Sequence, residues 1–304
     1  MLNLWYHPIY TDGLDPGARF PRERYQLVRA GLEGIEDVGG ICWNRPEAIA
    51  VEDLLLAHDS DYVDEFLAGT LSEEKIRRIG LRPWTEEIVE RTLILTNGTV
   101  EATRHVLEKG GSARAGNLGG GTHHAYFDFG SGYCIFNDLA IAARIAQRDF
   151  GVGRVLILDL DVHQGDGTAA IFEEDPSVRT VSFHCGKNFP FRKMQSDHDE
   201  IFEEGTKDEE FLRALESRLR NETEIFKPDL ILFQAGVDPL ATDRLGHLEM
   251  THEGLRKRNA LVFSHGEEQG IPLVVTMGGG YGVPIETSVA AHTDLFLQAA
   301  GYLR

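Results

Sequence analysis

A run of small apolar residues that ends in three evenly spaced polar groups constrains this chain more than any other feature. In Arg154-Val-Leu-Ile-Leu-Asp-Leu-Asp-Val-His-Gln-Gly-Asp-Gly167 the apolar residues read as a buried strand. Residues i, i+2 and i+4 of a strand share a face, so Asp159, Asp161 and His163 converge on one spot. A strand end whose polar groups merely meet water is the plain alternative, and a single such pair would be read that way. Three on one face, followed by a Gly-x-Gly turn and joined elsewhere by His123-His124, favour a metal held at the strand's carboxyl end.

The rest of the chain supplies the scaffold such a site needs. Apolar runs at 2–6, 113–118, 154–161, 178–184, 229–234 and 272–277 read as strands. They alternate with helical patterns at 22–33, 46–57, 59–68, 85–109, 136–149, 208–226, 252–269 and 284–300. Asp208 and Thr251 stand where helix caps are expected. This alternation predicts one α/β domain over 1–304, with a mostly parallel sheet and helices on both faces. The segment 185–207 has weak periodicity and is expected to be a loop over the sheet's carboxyl edge. Arg256-Lys257-Arg258, a dense basic cluster, is expected to be a solvated helix face.

With 49 acidic against 30 basic residues the net charge is −19, which argues against direct binding to a nucleic-acid backbone. Cys42, Cys134 and Cys185 show no metal-type spacing and cannot all pair, so a reducing, cytoplasmic setting is expected. The first residues lack a basic segment followed by a long apolar one, so no signal peptide is expected. No apolar run approaches the ~18 residues of a membrane span.

Ligands of open α/β sheets bind outside the strands' carboxyl ends. Four segments should therefore meet: Gly116-Asn-Leu-Gly-Gly-Gly-Thr-His-His-Ala125, the 159–167 segment, Phe233-Gln-Ala-Gly-Val-Asp-Pro239 and Thr276-Met-Gly-Gly-Gly-Tyr281. The glycines of the first do not have dinucleotide-fingerprint spacing. Together the four supply aspartates, histidines and a tyrosine, the inventory of a mononuclear hydrolase.

Leu118-Gly-Gly-Gly-Thr-His-His-Ala, Gly132-Tyr-Cys-Ile-Phe-Asn-Asp138 and Asp159-Leu-Asp-Val-His-Gln-Gly-Asp-Gly167, in that order, resemble the zinc-dependent histone deacetylases of the arginase/deacetylase fold. The likeness runs from Tyr6-His-Pro to Gly278-Gly-Gly-Tyr281. Asp161-Val-His-Gln-Gly and His184-Cys-Gly-Lys-Asn-Phe-Pro-Phe-Arg are most similar to the class IV branch and its bacterial members.

This resemblance implies Asp161, His163 and Asp238 as ligands of Zn²⁺, with Fe²⁺ as the alternative. It implies His124 as general base and acid, and His123 as the electrostatic partner of the attacking water. Asp159 and Asp166 would orient the two histidines, and Tyr281 would stabilise the oxyanion. The Gly132 carbonyl would accept the substrate amide N–H. Tyr133 would wall an acyl-lysine tunnel, with Phe189 or Phe191 opposite. Carbonyls of Asp159, Asp161 and His163, with Ser182 and Phe183, would hold K⁺. Gln164 departs from a histidine common in the family, and Tyr133 from a commoner Phe. The implied activity is removal of acetyl or other acyl groups from lysine side chains, or from similar amines such as acetylpolyamines. Against it stand a catalytically silent acyl-lysine binder and a dinuclear, arginase-like hydrolase; the latter needs a carboxylate at position 236, which is Gly.

Overall fold

Eight strands in the order β2-β1-β3-β8-β7-β4-β5-β6 form one sheet, every neighbouring pair parallel. A computed structural model describes residues 1–33 and 40–303. Among them the chain runs through β1 (Leu2–Trp5), α1 (Ile9–Asp12), α2 (Arg24–Glu33), β2 (Ile41–Asn44), α3 (Val51–Leu54), α4 (Ser60–Leu67) and α5 (Glu73–Ile79). There follow α6 (Glu87–Lys109), β3 (Arg114–Asn117), α7 (Asp138–Phe150), β4 (Val155–Asp159), α8 (Asp166–Ile171), β5 (Val178–Cys185) and β6 (His198–Phe202). The last five are α9 (Asp208–Ile225), β7 (Leu230–Gln234), α10 (His252–Gln269), β8 (Leu273–Thr276) and α11 (Ile285–Ala299).

Every residue of β4, β7 and β8 is buried. That is why these strands read as continuous Val/Leu/Ile runs: a parallel sheet covered on both faces has no side to leave polar. Most helix contacts fall into two sets, one joining α2, α9, α10 and α11 and the other α3, α6, α7 and α8, with α1 touching both α2 and α6. These are the two covering layers.

Register places the chemistry. Asn117 pairs with Thr276, Thr276 with Gln234, Gln234 with Asp159 and Asp159 with Ser182. Five adjacent strands thus carry buried polar residues in one row at or near their carboxyl ends. The loops that continue from four of them bear the candidate site.

Several expectations need correction. Segment 185–207 is not all loop: residues 198–202 form the edge strand β6, whose His-Asp-Glu-Ile-Phe lacks an apolar run because an edge strand is only half covered. The helix expected over 46–57 shrinks to the single turn α3. Asp208 does not cap α9; its carboxylate instead accepts from Thr251 N–H and Oγ1. Thr251 does cap α10, accepting from Gly254 N–H. Arg256 and Lys257 face carboxylates at the surface, but Arg258 is wholly buried. Its guanidinium donates to the carbonyls of Leu160, Ala235 and Gly236, tying together the chain just beyond β4 and β7.

Candidate metal centre and active site

Asp161 and His163 follow β4, and Asp238 follows β7, the neighbouring strand. One ligand atom from each lies within 4.8 Å of the others, and all three residues are buried. His163 Nδ1 is 2.9 Å from Asp161 Oδ1 and 3.2 Å from Asp238 Oδ2. Donors about 2.0–2.1 Å from a tetrahedral ion sit about 3.3 Å apart, so this spacing suits a divalent cation.

The remaining carboxylate oxygens are spoken for. Asp161 Oδ2 accepts from Gln234 Nε2 at 2.8 Å and Gly279 N–H at 2.9 Å. Asp238 Oδ1 accepts from Val162 N–H at 2.9 Å. Asp238 Oδ2, buried, makes no hydrogen bond among the described residues. Burial and the charge of Asp161 raise the Asp238 pKa. Burial opposes protonation of His163, yet Asp161 and Asp238 overcome it and hold its pKa at about 10. An orphaned buried oxygen beside an imidazole drawn towards the cationic form marks a place that takes positive charge, and the donor set fits Zn²⁺ or Fe²⁺.

The glycines around the triad are there for space. A Cβ on Gly279 would lie 2.0 Å from Asp238 Oδ2 and 2.7 Å from Asp161 Oδ2. A Cβ on Gly236 would lie 2.3 Å from Asp161 Oδ2, so the position a second metal would require holds no room for a carboxylate.

His123 and His124 are brought beside the triad by the turn after β3. Asp138, at the start of α7, fixes that turn by accepting from Gly121 N–H, Thr122 N–H and Thr122 Oγ1. His123 Nδ1 donates to Asp159 and His124 Nδ1 to Asp166, each at 2.6 Å, which leaves both Nε2 atoms as the second ring position. Asp166 also accepts from the Tyr126 hydroxyl. Burial opposes charge on His123, but Asp159 and Asp161 raise its pKa to about 9. Burial and the positive His123 lower that of His124 to about 4. The rings lie 4.0 Å apart, and His124 is 5.9 Å from His163.

Tyr281 follows β8 and is buried, with a hydroxyl that makes no hydrogen bond among the described residues. Its backbone is held instead: Asp243 accepts from Tyr281 N–H, and Arg24 donates to Gly280 O. Asp161, His163, His123, His124 and Tyr281 border a cavity of about 440 Å³, with Asp238 behind them against Asp161 and His163. Gly132 and Tyr133 line it in left-handed conformation, φ 52° and 68°. Phe189 packs edge-on to His124 at 4.9 Å, whereas Phe191 is 93% exposed at the mouth. Gln164 bonds Met194 O, Met194 N–H and Asp199, pinning the loop that carries both phenylalanines. Ser182 and Phe183 lie on β5, in register beside Asp159.

Asp138, Asp243, Gln234 and Arg258 have supporting roles that sequence reasoning missed. Asp138 and Gln234 stood inside quoted segments and Arg258 inside the basic cluster; nothing marked Asp243.

A parallel α/β sheet with an Asp/His/Asp cluster and two carboxylate-oriented histidines at its carboxyl edge defines the arginase/deacetylase class of proteins. Within that class, a model of the histone deacetylase domain matches residues 18–296. An uncharacterized protein of Picosynechococcus is 43% identical over 296 residues, 95% of either chain. Histone deacetylase 2 of Arabidopsis thaliana is 30% identical over 75% of this chain and 60% of its own length. Acetoin utilization protein AcuC of Bacillus subtilis is 31% identical over 78% of this chain and 66% of its own. The crystal structure of a histone deacetylase homologue complexed with SAHA superposes with a TM-score of 0.83 at 24% identity, covering 99% of this chain and 84% of that one. The chain belongs to the histone deacetylase family.

Proposed function

We propose that the protein is a metal-dependent deacylase that hydrolyses the amide of N-acylated lysine side chains or similar acylated amines. The observation that carries this is a cluster of three ligand atoms, two of whose residues line one cavity together with two carboxylate-oriented imidazoles and a tyrosine whose hydroxyl has no hydrogen-bond partner among the described residues.

Asp161, His163 and Asp238 hold the ion, Zn²⁺ in the first instance and Fe²⁺ as the alternative. When bound, such an ion supplies a Lewis acid for the acyl carbonyl and for water. His124, with Nδ1–H committed to Asp166, takes the water proton at Nε2 and returns it to the departing amine. His123, held by Asp159, places positive charge beside the reacting oxygen. Tyr281 donates its hydroxyl to the oxyanion, and the peptide that precedes it, held at both its C=O and its N–H, means little reorganisation at that moment. The Gly132 carbonyl accepts the substrate amide N–H, while Tyr133 and Phe189 flank the alkyl arm. We also assign a K⁺ to the carbonyls of Asp159, Asp161 and His163 with Ser182 and Phe183, supported by the register of β4 and β5. The three unpaired cysteines support a cytoplasmic setting. No helix among the described residues is long and apolar enough to cross a membrane.

Hydrolysis of an acetyl-lysine peptide, before and after chelation and after zinc is restored, tests the assignment. Activity should vanish with the metal and return with it. A metal-replete protein inert towards every acyl-amine would make it an acyl-lysine binder instead.

A further inference from the structure

The part of the cavity beside Tyr281 forms a chamber lined by charge that nothing in the proposed hydrolysis uses. Arg24 of α2 and Arg91 of α6 both line it, and both are at least 95% buried. Neither forms an ion pair among the described residues, and Asp161 is the only carboxylate lining the whole cavity. Their hydrogen bonds go to neutral acceptors. Arg24 donates to Gly280 O and the Tyr25 hydroxyl; Arg91 donates to Tyr10 O and the same hydroxyl. Two guanidiniums carry ten N–H groups, so these four bonds leave more than half without a protein acceptor. Arg24 Nε is buried and has no hydrogen-bond partner among the described residues.

Aromatic rings steady Arg24, whose Cζ lies 4.8 Å from the Phe20 centroid, 5.1 Å from Tyr25 and 5.5 Å from Tyr281. Rings offset part of the charge but accept few of the N–H groups. Two buried cations sharing one phenol are costly unless an anion completes them. In a chain of net charge −19, such a concentration of positive charge is a local construction.

We propose that this chamber is an anion subsite for the terminal carboxylate of the acyl group, so that the enzyme acts on amines bearing short ω-carboxyacyl chains such as succinyl or glutaryl. The planar guanidinium fork matches a carboxylate, and Arg24 and Arg91 line the same cavity as Tyr281, with Arg24 Cζ 5.5 Å from its ring, so an acyl chain longer than acetyl has these donors to meet. The reaction is ordinary hydrolysis: water oxygen joins the acyl carbon, the C–N bond breaks and a proton passes to the amine. A dicarboxylate and the free amine are the products. This assignment rests on the deacylase proposal and adds the acyl class to it.

The test is a panel of acetyl-, butanoyl-, pentanoyl-, succinyl- and glutaryl-lysine on one peptide with the zinc-loaded protein. The better ω-carboxyacyl substrate should exceed its neutral counterpart in kcat/KM by at least about tenfold, since a site built for a polar group discriminates against an analogue lacking it. Arg91→Met should bring that ratio close to one while leaving acetyl-lysine hydrolysis within about threefold. With wild-type protein, succinate or glutarate should inhibit acetyl-lysine hydrolysis at lower concentration than acetate or butanoate. Equal or better use of the neutral chains would overturn the subsite and leave water as the partner of these donors. Inhibition by acetate as strong as by the dicarboxylates would overturn it in favour of capture of the monocarboxylate product. Failure on every acyl chain, acetyl included, would instead count against the deacylase proposal.

Discussion

Gly279→Ala puts the metal centre under a measurable steric load. Gly279 is not in left-handed conformation, so alanine meets no backbone penalty and the effect comes from space alone. The new Cβ would stand 2.0 Å from Asp238 Oδ2, against the 3.4 Å at which ordinary contact begins. About 1.4 Å of overlap must therefore be relieved. Asp238 is short and is held at its other oxygen by Val162 N–H, so it can relieve the clash only by swinging its free oxygen out of the triad. If the backbone of residue 279 moves instead, Asp161 loses its 2.9 Å hydrogen bond from that N–H. Metal sites tolerate errors of about ±0.2 Å in ligand distance. Disturbing a ligand's supporting bonds costs about 10–100-fold in affinity, and displacing the ligand itself should reach the upper end, about 2.7 kcal/mol. Competition for zinc against a chromogenic chelator measures this directly, with acetyl-lysine hydrolysis at saturating zinc as a second readout. Zinc affinity within about threefold of wild type, with unchanged turnover, would refute the claim that Asp238 Oδ2 is a ligand atom.

Tyr281→Phe should lower kcat by about 10²–10³ with little change in zinc affinity, because an oxyanion donor acts mainly in the transition state; steady-state kinetics beside a zinc titration separate the two. Phe189→Ala should raise KM for acyl-lysine peptides several-fold more than Phe191→Ala, since only Phe189 packs on His124. His58 supplies a pH test away from the triad. Its Nε2 accepts from Asn137 N–H while Nδ1 donates to Tyr126 O, and burial lowers its pKa from 6.5 to about 4. Below pH 6.5 the unfolded chain gains a proton that the folded one refuses, so this contribution is complete above 6.5, falls towards pH 4 and then levels off. The loss is of order 3 kcal/mol. Denaturant unfolding of His58→Gln should therefore show a shallower fall in stability between pH 7 and 4.5 than wild type, and parallel curves would remove His58 from the account.

The central sheet and the metal triad were legible because burial leaves an unambiguous trace. β4, β7 and β8 are covered on both faces, and the polar residues stand where the apolar run of β4 stops: Asp159 ends the strand, while Asp161 and His163 lie in the loop after it and not on one strand face as their spacing suggested. The edges left no such trace: β2 is Ile-Cys-Trp-Asn and β6 is His-Asp-Glu-Ile-Phe, neither an apolar run nor a clean alternation. Arg258 was misjudged because its neighbours Arg256 and Lys257 are exposed, and a helix turns each successive side chain by about 100°. Arg24, Arg91 and Asp243 acquire meaning only through partners distant in sequence. The bond from Arg24 to Gly280 spans 256 residues, beyond any local pattern.

Crowding at Gly236 also bears on how this protein's relatives can diverge. Because a side chain there would collide with Asp161, a single codon change to aspartate would spoil the existing centre before it could found a second one. Passage between one-ion and two-ion chemistry on this scaffold therefore requires concerted changes along the loops after β4 and β7. The ancestry of the two kinds of enzyme should show a gap there, not a staircase.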